Sequence, residues 1–493
     1  MFKSIVSKIQ RDKDFPQRQF DIDVLTRVRK GTLYDHLEHG FHQEKRDGVE
    51  EYIPIRDRRP CVRYGLCKIV VNDSVSLLFS EGHFPAVDCK DEVTRDTLTD
   101  LVKETKLNQV MIDAATTGSV GSVAIIMRVL SGRVFFSVSN TMYLAPTWKQ
   151  DAPDTLAKVA EQYKVKGQVL ADQGYEVATD DLTVDFWFRR EWDEQAETWF
   201  MPWKVGEANP ATVDPKKTTP HKLGFVPIVW VKNLPGGDEI DGECTFPVEA
   251  IETGIEIDYQ LSQAGRGLKY SSDPTLLIKE PAVGDDGKMV KGGGNAIVVD
   301  KDGDAKMLEI NGTAAAAVIE YVRCLRELAL ETANGNRANA DKLSAAQSGR
   351  AMELMNQALI WLSDRLRISY GEGALLQLLR MVVMASAKFE LTINGKKAPE
   401  LKQDEPIGLR WPNWYAPTYA DKQSEALTLG VLRDKELISQ ETAVQTIAPS
   451  YDIADPADEI RKIEAEPKED DEGAGAGGDG PKPKPQPLSQ SDD

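Results

Sequence analysis

The residues His36, His39 and His42 recur at intervals of three, a spacing that a helix turns roughly onto one face and that could hold a divalent metal. No partner that would fix their rings is identifiable in the sequence, so a polar helix face carrying histidines is the preferred reading. Asp300, Asp302 and Asp304 imitate the start of a calcium loop, which then needs Gly at the sixth position and Glu at the twelfth. Ala305 and Asn311 stand there, which favours a hairpin turn carrying acids. Trp187, Trp192, Trp199 and Trp203 could stack bases. Their alternating pattern instead turns some of them into a core, and no basic stripe accompanies them. Nucleotide chemistry lacks its motif as well. GxxxxGK[ST] is absent, and GDDGKM at 284–289 has the wrong spacing and no hydroxyl for magnesium. GxSxG and HExxH are also missing. No catalytic, cofactor or metal residues are therefore assigned, and the chain is expected not to be an enzyme. Cys61, Cys67, Cys89, Cys244 and Cys324 form no CxxC and are expected to be free thiols in a reducing compartment.

The chain as a whole narrows the choices further. Its 493 residues are enough for two to four packed units. Lys and Arg number 60 against 79 Asp and Glu, a net charge of −19. Such a field repels nucleic acid and anionic membranes, whereas a protein gripping phosphates needs a basic surface. The opening MFKSIVSKIQRDKDF carries charges too early for a secretory signal, and every apolar run is interrupted well short of a membrane span. A soluble protein that stays in its compartment of synthesis is expected.

Periodicity predicts an α+β chain. Residues 62–79 read as a buried helix or a strand pair, and 92–112 as one helix. The β-branched runs 122–129 and 133–138 flank Ser131-Gly132, a turn signal. The segments 182–190 and 197–204 suggest a second hairpin, 205–224 a loop, and 225–232 a strand in which Pro227 marks an edge or a strand start. Pro247 fits the first turn of a helix running to about Lys269. A β insert follows, with strands at 275–280, 288–291 and 295–300 and a hairpin around Asp302-Gly303. A second helix starts at Thr313 and stops at Asn334-Gly335, with Val318, Val322, Leu325 and Ala329 on one stripe. From Ser348 to about Phe389 no proline interrupts a very long helix, about 60 Å at 1.5 Å per residue, with a bend expected at Gly371 and Gly373. Strands around Asn394-Gly395 and helices near 418–432, 439–447 and 456–465 complete the folded part. Residues 467–493 are acidic, Gly- and Pro-rich, and expected to be disordered. Two long helices and a rod of this kind present apolar stripes that a monomer does not cover, which predicts oligomerisation.

This order resembles that of the portal protein, or head-to-tail connector, of tailed double-stranded DNA bacteriophages of the siphophage type. The strings that carry the resemblance are VLTRVRKGTLYDHL (24–37), HKLGFVPIVWVKN (221–233), GECTFPVEAIETGIEIDYQLSQ (242–263), SGRAMELMNQALIWLSDRLR (348–367), LTLGVLRDKELISQETAVQTIAP (427–449) and DPADEIRKIEAE (455–466). Each is loose alone; their colinear order is what is specific.

The resemblance implies an elongated protomer with an α+β wing, a two-helix stem, a small β clip, a long helix and a helical crown. Residues 1–245 would be wing, 246–269 and 313–333 stem, and 270–312 clip. Residues 334–347 would be the tunnel loop, 348–411 the long helix with wing strands, 412–466 crown, and 467–493 the tail. It further implies a twelve-fold homo-oligomeric ring at a capsid vertex, passing double-stranded DNA without reading its sequence. Partners would be the terminase large subunit, then a head-completion or adaptor protein, and the major capsid or scaffold protein. The ring would assemble in the bacterial cytoplasm, and no cofactor is implied. ATP hydrolysis would belong to the separate terminase, in keeping with the missing P-loop. Asn336, Arg337 and Lys342 would face DNA from the tunnel loop, and Lys288 and Lys291 in the clip would meet a partner or DNA. On this reading the net acidity argues against gripping DNA and is compatible with letting it slide. Two rivals remain. One is a head-tail adaptor or scaffold protein without a channel, expected to be shorter. The other is a metal-dependent nuclease or hydrolase built from scattered acids.

Overall fold

A computed structural model describes residues 1–493 except 47, 49–50, 273–274, 282–298, 309–312, 336–348, 416–417, 452, 454–455 and 466–493. The chain forms two compact units, Met1–Tyr415 and Ala416–Asp493.

In the first unit, the apolar run of 66–79 buries most of its circumference and is a helix, Leu66–Phe79, rather than a strand pair. The single helix expected over 92–112 is two. Glu92–Glu104 is capped by Asp91, whose side chain accepts from the Thr94 N–H. Leu107–Gly118 starts after Lys106, which adopts φ 50°. The break lets Leu98 and Leu101 of one helix and Leu107, Met111 and Ala114 of the next all reach the same core.

Ser131 and Gly132, at φ 51° and 78°, make the expected tight turn between Ser122–Leu130 and Arg133–Asn140. Ile228–Lys232 pairs with the other side of Ser122–Leu130 and is an edge strand, as Pro227 predicts. A second, six-stranded antiparallel sheet holds the tryptophans. Asp185–Trp192 pairs with Ala196–Trp199 and also with Trp203–Lys204, where Trp203 faces Trp187 across the strands. Trp192 and Trp203 are buried, and the Arg190 guanidinium lies 4.5 Å from the Trp192 ring and 5.3 Å from the Trp199 ring. These rings pack the sheet, which removes the case for base stacking.

The helix Val248–Ser272 leads into a hairpin of Thr275–Pro281 and Val299–Leu308, and Thr313–Thr332 returns alongside the first helix. Asp302-Gly303 does not make the expected turn: those residues lie within the second strand. The register steps from Lys279↔Asp304 to Pro281↔Val299, so residues 300–303 bulge opposite Glu280. The expected strand at 288–291 and most of that at 295–300 lie outside the described residues. Asn334, at φ 51°, ends the returning helix, and the Gly335 N–H closes onto the Leu330 carbonyl at 2.8 Å.

The expected single rod from 348 is segmented. Gly349–Met355 stops at Asn356, Gln357–Leu366 follows, Arg367–Leu375 is a π-helix, and Leu376–Ser386 resumes α geometry. The glycines thus mark a π-helix. Tyr370 is fully buried there and donates to Asn233 Oδ1 at 3.0 Å, while a Cβ on Gly371 would come within 2.5 Å of Trp411. Thr392–Ile393 and Lys396–Lys397 pair around Asn394-Gly395 as expected.

The second unit contains the helices Tyr419–Asp434, Gln440–Ile447 and Pro456–Ala465, close to the sequence expectation. The first carries a reciprocal capping box between Thr418 and Asp421. Among the described residues no helix is long and apolar enough to cross a membrane.

Candidate assembly and channel site

Asn336, Arg337, Lys342, Lys288 and Lys291 all lie outside the described residues. The other sequence-level candidates resolve into structure. His36, His39 and His42 do not share a helix face; they sit on a turn, a two-residue strand and a further turn. His36 Nε2 lies 3.1 Å from the Ile5 carbonyl, His39 Nδ1 lies 3.2 Å from Gln43 Oε1, and His42 packs edge-on to Phe41. Asp300, Asp302 and Asp304 belong to the bulged strand rather than to a loop. Among the described residues no three His, Cys, Asp or Glu gather as metal ligands.

The helix Val248–Ser272 is fixed by contacts that sequence periodicity does not reveal. Its apolar stripe of Ile251, Ile255 and Tyr259 enters the main core. Asp258, on that same side, accepts from the Tyr34 hydroxyl at 2.9 Å and from the Tyr64 N–H at 2.7 Å. Ser262 Oγ accepts from the N–H groups of Cys61 and Val62 at 3.1 and 3.0 Å and donates to the Asp258 carbonyl. The Tyr259 hydroxyl donates to the Arg58 carbonyl at 2.8 Å. Together these bonds strap residues 58–64 across the helix. Burial pushes the Asp258 carboxyl up to about 6, against the opposing pull of its bonds from Tyr64 and Tyr34 and of nearby Arg63. The available signal was a polar pair at i, i+4 set into an apolar stripe.

The outward faces of the two long helices differ. On Val248–Ser272, Glu249, Glu252, Glu256, Gln260 and Gln263 form one exposed or half-exposed polar face. On Thr313–Thr332, Ala329 and Leu330 are buried with Leu66, Val70 and Ala250. Its exposed surface carries Ile319, Tyr321 and Leu328 as well as Glu320, Glu327 and Glu331. The segmented rod exposes Leu354, Trp361 and Ile368 at intervals of seven, each 58–62% accessible.

A profile described as phage portal protein, SPP1 Gp6-like, matches residues 57–473. A comparison with curated proteins finds no match. The matched span takes in the strapped helix, the hairpin, the returning helix, the segmented rod and the C-terminal helices in one colinear run. That span is well over half of the chain, and on it the chain belongs to the SPP1 Gp6-like family of phage portal proteins.

Proposed function

We propose that copies of this phage portal protein close into a ring at one capsid vertex, through which double-stranded DNA is packaged and later ejected. The observation that carries this reading is the family match across a helix–hairpin–helix–rod order. The helices Val248–Ser272 and Thr313–Thr332 act as stem, and residues 270–312 as the clip that meets terminase and afterwards a head-completion or adaptor protein. Residues 1–245 and 348–411 make the wing, which meets the capsid or scaffold protein. Residues 334–347 form the tunnel loop, where Asn336, Arg337 and Lys342 touch passing DNA. Residues 412–466 form the crown, and 467–493 are a tail not needed for assembly. Lys288 and Lys291 serve partner contact. The ring assembles in the host cytoplasm and ends in the virion. Its work is structural, with ATP hydrolysis left to the terminase.

Channel physics supports an acidic wall. About 60 Å of B-DNA carries on the order of 35 phosphate charges. A continuous basic lining would bind them and resist motion. The all-polar face of Glu249, Glu252, Glu256, Gln260 and Gln263 suits water and moving DNA, whereas the mixed apolar and acidic face of Thr313–Thr332 suits protein. The test is the mass of the purified full-length chain with negative-stain imaging. A twelve-membered ring of 54.6 kDa chains gives about 655 kDa and a central hole. A monomer without rings at assembly concentrations would overturn the reading.

A further inference from the structure

We propose that a cavity beside the core between the two sheets binds the C-terminal residue of a partner polypeptide, an apolar side chain next to a free carboxylate. The proposal goes beyond the ring reading and does not rest on it.

Trp192 belongs to the small core between the three-stranded and six-stranded sheets, with Ala124, Ile126 and Ile228. It is 1% exposed, and its Nε1–H finds no acceptor among the described residues. An indole nitrogen can only donate, and a buried donor left so is rare in a folded protein. Trp192 is also a wall of a cavity of about 400 Å³, whose other apolar walls include Met127, Leu130 and Leu223. Met127 and Leu223 are buried, whereas Leu130 is 56% exposed. The volume lies at the small end of ligand sites and suits one large side chain with its backbone. Thr219 and Pro220 line the same cavity, and their strand is the outer strand of the six-stranded sheet. An extended chain leaving the cavity meets the backbone of that edge, which a free small acid does not use.

The polar side of the cavity is cationic. Glu197 is the acid among its lining residues, and it is shared by Arg128 at 3.3 Å and Arg190 at 3.4 Å. Lys222, also on the lining, is exposed and makes no ion pair among the described residues. Its backbone sits at φ 57°, a conformation uncommon for any residue but glycine. His221 braces that turn: its Nδ1 accepts from the Leu223 N–H at 3.2 Å, and its Nε2 donates to the Asp193 carbonyl at 2.9 Å. Lys388 donates to the Leu223 carbonyl and likewise has no ion pair among the described residues. A free ammonium, a buried N–H without an acceptor and apolar walls together specify the occupant. A carboxylate has two oxygens, one for the Trp192 N–H and one for Lys222, and both hydrogen bonds are strengthened by its charge. The apolar side chain beside it covers Met127, Leu130 and Leu223.

Calorimetric titration of the full chain with acetyl-Gly-Gly-Phe, as the free acid and as its C-terminal amide, tests this. The acid should bind at one site per chain, and the amide about tenfold more weakly, as expected when a hydrogen bond to a charged group is lost. Trp192→Phe removes the N–H and should weaken the acid by a similar factor. That change also takes volume from the core, so Lys222→Met, at an exposed position, decides the matter if Trp192→Phe does not fold. Lys222→Met should weaken the acid about tenfold and leave the amide unchanged, with the wild-type Tm. Equal affinity for acid and amide, or no binding of either at millimolar peptide, would overturn the proposal. So would full affinity in Lys222→Met, which would put the peptide elsewhere. Octanoate binding more tightly than the peptide acid would assign the cavity to free apolar acids and overturn the polypeptide as its occupant.

Discussion

Asp258 is an acid placed where acids are costly. It is buried on the core-facing side of the helix Val248–Ser272 and held by Tyr34 and the Tyr64 N–H. Its carboxyl titrates near 6 in the folded chain, against about 3.9 when unfolded. The folded state therefore binds this proton more tightly. The group's favourable contribution is complete below about pH 4, falls as pH rises through 6, and is constant above that. The two-unit gap corresponds to on the order of 3 kcal/mol over that window. Asp258→Asn should remove this slope, so that wild type minus variant stability, from urea unfolding at pH 4 to 7, declines by an amount of that order. Parallel pH profiles would mean that the carboxyl is not buried as described. Periodicity puts Val248, Ile251, Ile255 and Tyr259 on one stripe; the last three enter the core while Val248, in the first turn, stays exposed, and periodicity could not show Asp258 on that same side. Its partners Tyr34 and Tyr64 are about two hundred residues away in sequence, and no local pattern encodes such a meeting.

Elements with local causes were legible, and those with distant causes were not. Ser131-Gly132 and Asn394-Gly395 make their turns wherever the flanking strands go, because positive φ is a property of the turn itself. The first two C-terminal helices carry their own caps at Thr418 and Ser439. The break at Lys106 follows instead from a core that two helices must reach together. Asp302-Gly303 gave a true irregularity signal, realised as a bulge because the partner strand continues past it. The π-helix Arg367–Leu375 is the strongest case. Gly371 was read as a bend, yet its lack of a side chain admits the Trp411 ring. Arg367 reinforces the same contact, its guanidinium 4.6 Å from the Trp411 ring and 3.1 Å from that of Trp414. Gly371→Ala should overpack this site and destabilise by about 1–3 kcal/mol. The variant's unfolding midpoint checks it, and an unchanged midpoint would show that Trp411 moves freely. The proposed tunnel-loop and clip cations, Asn336 aside, are lysines and an arginine outside the described residues, so their placement is carried by the resemblance alone.

At the scale of the whole molecule, charge governs what the proposed ring would do with DNA. Twelve copies at −19 each would carry −228, a total that includes Glu249, Glu256 and Glu252, the last 3.7 Å from the Met1 ammonium, on the polar face of Val248–Ser272 proposed to line the channel. A wall of this sign keeps DNA centred without holding it, provided that the face meets the duplex. Changing the sign of the face should convert passage into binding. With Glu249→Lys, Glu256→Lys and Gln263→Lys together, the assembled protein should gain affinity for duplex DNA at low salt. The slope of log affinity against log salt should steepen by about 0.9 for each new cation that reaches a phosphate. Packaging should slow in proportion, because each contact must be released before DNA advances. All three positions are exposed or half-exposed, so folding and ring mass should not change. The decisive measurement is duplex binding by assembled wild type and variant across a salt series. An unchanged slope in a variant that still forms rings would place this helix face away from the channel and leave Thr313–Thr332 as the wall.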